Sequence, residues 1–154
     1  CPTARRARLT RLQQLSDRFS LVATFAGQYS ASPLLASEEF ALGGPNFGRG
    51  YDDGEMSADS GVAASLELRY AVSSDRFLPQ GAHVYTFVDG GHIWSRSESA
   101  PLTRAKLSSY GAGMRANLTK NLYATIEVAK PMSSDVLTQG NKDPRVFFSL
   151  SAQY

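Results

Sequence analysis

With 154 residues, 42% of them hydrophobic and 19% charged, the sequence has the length of one ordinary domain and the composition of a folded chain. Its formal charge of +2, with basic residues scattered apart from Arg5, Arg6, Arg8 and Arg11, excludes a phosphate-binding stripe, so no nucleic-acid partner is expected. The single cysteine, Cys1, excludes an internal disulfide and any multi-cysteine metal site.

No run approaches the ~20 consecutive apolar residues that a membrane-spanning helix needs, but a barrel strand crosses with only ~9 to 11 residues of ordinary mean hydropathy. Cys1 in place of an initiator Met, with no signal peptide after it, reads as an arbitrary cut in a longer chain.

Residues 3–15 carry Leu9, Leu12 and Leu15 at a spacing that suits a helix, yet they serve equally as a strand paired with the next segment, which is the reading preferred. Residues 19–30 alternate with period two: Phe19, Leu21, Ala23, Phe25, Gly27 and Tyr29 on one face, Ser20, Thr24, Gln28 and Ser30 on the other. After a Gly-rich stretch at 43–61, residues 62–71 set Val62, Ala64, Leu66, Leu68 and Tyr70 against Ser65, Glu67 and Arg69. Residues 83–94 form a strand made weak by Asp89, Gly90 and Gly91, so a compensating contact is expected there.

In 108–118, Tyr110, Ala112, Met114, Ala116 and Leu118 oppose a polar, small-residue face of Ser109, Gly111, Gly113, Arg115 and Asn117. Residues 122–130 alternate Leu122, Ala124, Ile126 and Val128 with Tyr123, Thr125 and Glu127 before Lys130-Pro131 ends the strand. In the last run Val146, Phe148, Leu150, Ala152 and Tyr154 alternate with Ser149, Ser151 and Gln153. Turn-rich segments separate the strands at 16–17, 32–33, 73–81, 95–101, 120–121 and 133–144. The whole is an all-β antiparallel meander, and Tyr29, Tyr70, Trp94 and Tyr154 stand at strand ends, where a membrane barrel carries its aromatic girdles. Periodicity alone leaves a soluble barrel or sandwich open beside the membrane barrel.

Two motifs separate these readings. Gly43-Gly44-Pro45-Asn46-Phe47-Gly48-Arg49-Gly50-Tyr51 resembles the lid-loop signature of the Omp85 superfamily, Gly-Gly followed by Val-Arg-Gly-Tyr, with Gly48 where Val is usual. Phe87-Val88-Asp89-Gly90-Gly91 resembles the same superfamily's Phe-x-Asp-x-Gly strand. The run from Ala129 to Tyr154 looks like the end of the hemolysin secretion and activation transporters of two-partner secretion. The resemblance covers about residues 4–154, which would be the C-terminal half of one transmembrane β-barrel: seven or eight strands of about sixteen, with the lid loop at about 43–61 and residues 1–154 forming part of a single barrel domain.

The resemblance implies that the lid folds back into the lumen, where Arg49 reaches Asp89 in a forked guanidinium–carboxylate pair, Glu67 offers a second acceptor, and Gly91 leaves room for the loop. Phe87, Asp89 and Gly91 share one face of their strand. Phe148, Leu150, Ala152 and Tyr154 fit the C-terminal signal by which such barrels are recognised for insertion. The implied function is export of a large exoprotein through the lumen, with the client, the barrel assembly machinery and the lipid bilayer as partners and no cofactor or metal. Alternatives are an assembly factor that inserts other barrels, a barrel that follows a patatin-like lipase, and a free-standing soluble barrel that binds a small ligand. Isolated, seven or eight strands are too few to close so wide a barrel, and aggregation or oligomerisation is expected.

Enzymatic chemistry finds little support. His83 and His92 fall on opposite faces of one strand. Asp52, Asp53, Glu55 and Asp59 lack the regular spacing of a calcium loop, and a solvated loop is preferred. Ser60-Gly61 is not part of a nucleophile elbow, and the Asn117-Leu118-Thr119 sequon lies within a strand.

Overall fold

The computed structural model describes residues 4–74, 78–95, 104–133, 136 and 140–152. Seven long strands form one sheet: β1 (Ala4–Gln14), β2 (Phe19–Ser30), β5 (Ser60–Ser74), β6 (Leu78–Trp94), β7 (Arg104–Thr119), β8 (Leu122–Pro131) and β9 (Arg145–Ala152). Each pairs antiparallel with the next in that order, so the sheet is a meander with β1 and β9 at its edges. Between β2 and β5 the chain leaves the sheet for residues 31–59, which hold a single 3-10 turn (Ala36–Glu38) and a small second sheet, β3 (Phe40–Leu42) paired with β4 (Met56–Ala58).

The opening leucine-spaced segment is a strand: Leu9 stands opposite Phe25 and Leu12 opposite Val22. Strands β5, β6 and β7 run several residues beyond the stretches of clean alternation, with Ser74 still paired to Leu78 and Trp94 to Arg104. Ladder hydrogen bonds are indifferent to side-chain polarity, so pairing continues past the apolar band. Ser60 and Gly61 belong to β5 rather than to the loop.

The connections are asymmetric. At one end of the sheet β1 joins β2 through residues 15–18, β5 joins β6 through 75–77, and β7 joins β8 through 120–121. The long connections, 31–59, 95–103 and 132–144, all lie at the other end. Membrane barrels share this asymmetry of short turns against long loops.

The distribution of polarity is inverted relative to a soluble sandwich. Register aligns Leu66 with Val88 and Val88 with Tyr110, and separately Val84, Met114, Ile126 and Phe148, into continuous apolar rows across the sheet. These rows are exposed, with Val88 at 46%, Tyr110 at 46% and Phe148 at 70%. On the opposite face the polar Glu67, Asp89 and Ser109 are at 3%, 4% and 0%. Apolar outside and polar inside is the pattern of a sheet whose outer solvent is lipid.

The packed core accordingly lies on the polar face, between sheet and inserted loop. Leu42, Phe47, Tyr51 and Ala58 of the loop meet Ala26, Ala63, Ile93, Leu107 and Val136. The intrinsically weak middle of β6 is braced there, since Gly91 lies against Leu42. Near the short-turn end Phe19 and Tyr70 contact with ring centroids 4.9 Å apart, and at the long-loop end Trp94 lies beside His92. Tyr154 lies outside the described residues.

If the exposed rows face lipid, an arginine within them must be solvated at depth. Leu66→Arg is expected to lower the stability of the full-length barrel in phosphatidylcholine vesicles by about 2–4 kcal/mol. Urea unfolding in vesicles measures it, and an unchanged midpoint and slope would show that this face does not contact lipid.

Candidate functional site

Strand parity assembles the site. On β5 the inward positions are Ser65, Glu67 and Arg69, on β6 Tyr85, Phe87 and Asp89, on β7 Ser109 and Arg115, and on β8 Glu127, all on the buried polar face. The loop of residues 31–59 folds over this face and delivers Arg49 into the middle of it.

Arg49 is surrounded by three carboxylates. Its Nη1 donates to Glu67 Oε2 at 2.8 Å and to Glu127 Oε2 at 3.3 Å, while its Nε lies 3.3 Å from Asp89 Oδ2. Nη2 reaches Ser65 Oγ at 3.4 Å, and the guanidinium carbon stands 4.1 Å from the centroid of the Phe87 ring. The cation is thus held at its edges by acceptors and on one face by an aromatic ring, an arrangement suited to a planar guanidinium and poorly matched by an ammonium.

The contact with Asp89 is an ion pair without a fork. Asp89 Oδ1 is already occupied, accepting the Gly48 N–H at 2.9 Å and the Ser109 hydroxyl at 2.6 Å. Oδ2 accepts no hydrogen bond, and the side chain is 0% exposed. Asp89 therefore grips the loop by backbone as well as by charge, and the shortest contact of Arg49 is with Glu67.

Glu67 is itself shared. Arg69 Nε donates to its Oε1 at 2.6 Å and Arg115 Nη1 to the same oxygen at 2.8 Å. Arg115 also lies over the Tyr85 ring at 3.9 Å, and the Tyr85 hydroxyl donates to Glu127 at 2.6 Å.

The rest of the Gly-rich segment sets the approach of Arg49. Gly43, Gly44 and Gly48 have φ of 105°, 89° and 85°, and the Gly43 N–H donates to the Phe47 carbonyl at 2.9 Å. Gly48, where a valine is usual in the resembling family, thus adopts a left-handed conformation that a β-branched residue resists. Gly50 passes so close to the β8 end that a Cβ there would sit 2.8 Å from the Pro131 nitrogen and 3.0 Å from the Lys130 carbonyl carbon. Its N–H donates to Ser109 Oγ at 3.1 Å. Tyr51 is buried, with its hydroxyl 3.4 Å from Ser133 Oγ.

Gly43, Gly44, Arg49, Gly50 and Tyr51 therefore come together with Glu67, Phe87, Asp89 and Gly91, although Gly91 receives the Leu42 side chain rather than the loop backbone. Phe148, Leu150 and Ala152 lie apart from them on the edge strand β9, and Phe148 and Leu150 are exposed.

Sequence reasoning alone missed Glu127, Ser109, Arg69, Arg115 and Tyr85, whose only signal was their shared parity. It also missed a second tether, Arg145 Nη2 to Asp52 Oδ1 at 2.6 Å, which ties the loop to β9. Among the described residues no group of His, Cys, Asp and Glu is arranged to hold a metal ion. His83 and His92 lie on opposite faces, across from Arg115 and Lys106 respectively.

Comparison with known proteins gives a consistent set of relatives. The model of the family described as haemolysin secretion/activation protein ShlB/FhaC/HecB matches residues 3–116. Protein TOC75-3, chloroplastic, of Arabidopsis thaliana is 33% identical over 99 residues, covering 59% of this chain and 11% of that protein. Outer membrane transporter CdiB of Dickeya dadantii is 33% identical over 87 residues, covering 54% of this chain and 15% of that protein. The solved structure of CdiB from Acinetobacter baumannii superposes with a TM-score of 0.70 at 22% identity, covering 98% of this chain and 27% of that one, which shows the same fold. The chain thus spans a minor share of the length of the proteins it matches.

The close approach at Gly50 predicts that Gly50→Ala displaces the loop, because its neighbours there are backbone atoms and the Pro131 ring, which cannot swing away. In the full-length barrel, trypsin cleavage after Arg49 is expected to accelerate at least tenfold over the unaltered protein. Equal cleavage rates would contradict this docking.

Proposed function

The chain belongs to the haemolysin secretion/activation protein family, and from that premise we propose that it is the C-terminal stretch of an outer-membrane transporter that exports a large secreted polypeptide through its barrel lumen. The observation that carries this reading is the buried ion-paired contact of Arg49 with Glu67, Asp89 and Glu127 beneath a loop that lies on the polar face of an inside-out sheet. A lumen closed by a segment of the protein's own chain, held largely by polar contacts, is one that a travelling polypeptide can displace.

In this reading the loop of residues 31–59 is the lid, and Gly43, Gly44, Arg49, Gly50 and Tyr51 dock it on Glu67, Phe87, Asp89 and Gly91. The protein performs no bond chemistry and needs no nucleotide, metal or other cofactor, since folding of the client outside draws it through. The apolar rows of the sheet meet the lipid bilayer. Outward-facing Phe148, Leu150 and Ala152, continued by Tyr154, serve as the signal read by the barrel assembly machinery during insertion.

Removing Arg49 leaves Glu67 with Arg69 and Arg115, so the loss falls on Asp89 and Glu127. Breaking a buried pair costs about 3–5 kcal/mol, and partial hydration of the lumen brings the figure here to the lower end. Arg49→Ala in the full-length transporter is expected to reduce client release into the medium at least tenfold while barrel levels in the outer membrane stay normal. Undiminished export at normal barrel levels would sink the proposal. General loss of other outer-membrane barrels from the same cells would instead favour an assembly factor built on the same lid.

A further inference from the structure

The charges around Arg49 balance only while the lid is in place. Among the described residues the site holds three carboxylates, Glu67, Asp89 and Glu127, and three guanidinium groups, Arg49, Arg69 and Arg115. Arg69 and Arg115 stand on the wall, whereas Arg49 travels with the loop. Withdrawal of the lid leaves these three carboxylates facing two guanidinium groups, an excess of one negative charge within this cluster.

That excess is concentrated at Asp89. Glu67 keeps Arg69 at 2.6 Å and Arg115 at 2.8 Å, and Glu127 keeps the Tyr85 hydroxyl at 2.6 Å. Asp89 loses both the Arg49 charge and the Gly48 N–H, retaining the Ser109 hydroxyl alone. Its Oδ2, on a side chain with 0% exposure, accepts no hydrogen bond even with the lid docked. A carboxylate oxygen so placed is an acceptor aimed at the space a cation occupies.

The shape of that space selects the cation. The Phe87 ring forms a floor 4.1 Å from the guanidinium carbon, and Glu67, Glu127, Asp89 and Ser65 Oγ stand around the edges of the guanidinium. Acceptors dispersed in this way around a flat group with an aromatic beneath it fit a guanidinium, whose donors point outward in its plane, better than a compact ammonium.

We propose that the vacated socket is a receptor for one arginine side chain of the polypeptide in transit, which takes the place of Arg49 while the lid is displaced. The proposal rests on the reading of residues 31–59 as a movable lid. It assigns the socket a second role, in which an arginine of the client and Arg49 compete for the same three carboxylates. An arginine entering the lumen thereby delays lid return, and its departure allows the lid to reseal.

The test uses the full-length transporter in planar lipid bilayers, with L-argininamide as the probe and L-citrullinamide as its uncharged isostere. In the Arg49→Ala protein the socket is empty, and argininamide is expected to reduce open-channel current at a half-blocking concentration at least tenfold below that of citrullinamide. Adding Asp89→Asn should raise that concentration at least tenfold. If this double variant fails to insert, Glu127→Gln in the Arg49→Ala background replaces it, with the same expectation. Equal block by the two amides, or block indifferent to the second substitution, would overturn the receptor. The lid reading fails separately, by undiminished export from the Arg49→Ala protein, so loss of export without selectivity for argininamide sinks the receptor alone.

Discussion

The structure turns on one cation placed among three carboxylates. Arg49 is carried by a loop, and Glu67, Asp89 and Glu127 are carried by three different strands, so the ion pairs close only when sheet register and loop path are both correct. Buried charges of one sign on a wall repel one another and lose hydration, and this is tolerable only with counter-charges at hand. Arg69 and Arg115 supply part of the compensation from the wall itself, and Arg49 supplies the remainder from the loop. The loop is thereby an electrostatic component of the sheet as much as a cover over it.

The same constraint explains the placement of the core. With its apolar rows turned outward, the sheet has no hydrophobic face on which to pack within the chain. Order comes instead from the loop, whose Leu42, Phe47, Tyr51 and Ala58 fill the polar side against small wall residues such as Ala26 and Ala63. The glycines at 111 and 113 belong to this economy, since they lie beneath the rings of Phe87 and Tyr85, which in turn support Arg49 and Arg115. The inside-out sheet and the inserted loop are consequences of each other, and the chain as a whole shares its fold with CdiB from Acinetobacter baumannii.

Much of this was legible in the sequence because period-two alternation survives without any knowledge of tertiary structure. The strand at Phe19–Ser30 was readable to the residue, the assignment of Glu67 and Arg115 to polar faces followed from parity, and so did the common face of Phe87, Asp89 and Gly91. Parity gives the face and not the height. That Ser109 stands opposite Asp89, and that Glu127 on β8 reaches the same guanidinium as Glu67 on β5, depends on register accumulated across four strands, which no local pattern encodes. The β3–β4 hairpin was invisible for a different reason: three-residue strands carry no alternation, and its hydrogen bond between Ser57 and Glu39 is a contact between distant residues. Residues 3–15 were ambiguous because leucines at 9, 12 and 15 suit two periods, and pairing with β2 resolved them as strand.

Hydrogen exchange of residues 43–51 in the full-length barrel, reconstituted in lipid vesicles, shows whether the carboxylates of the sheet hold the loop. The Gly48 and Gly50 amides donate to Asp89 and Ser109, so they report docking without depending on export. If they do, a peptide covering residues 43–51 exchanges slowly in the unaltered protein and at least tenfold faster with Asp89→Asn and Glu67→Gln combined, while peptides from β2 and β7 are unchanged. Exchange of that peptide at the rate of a free loop in the unaltered barrel would contradict it.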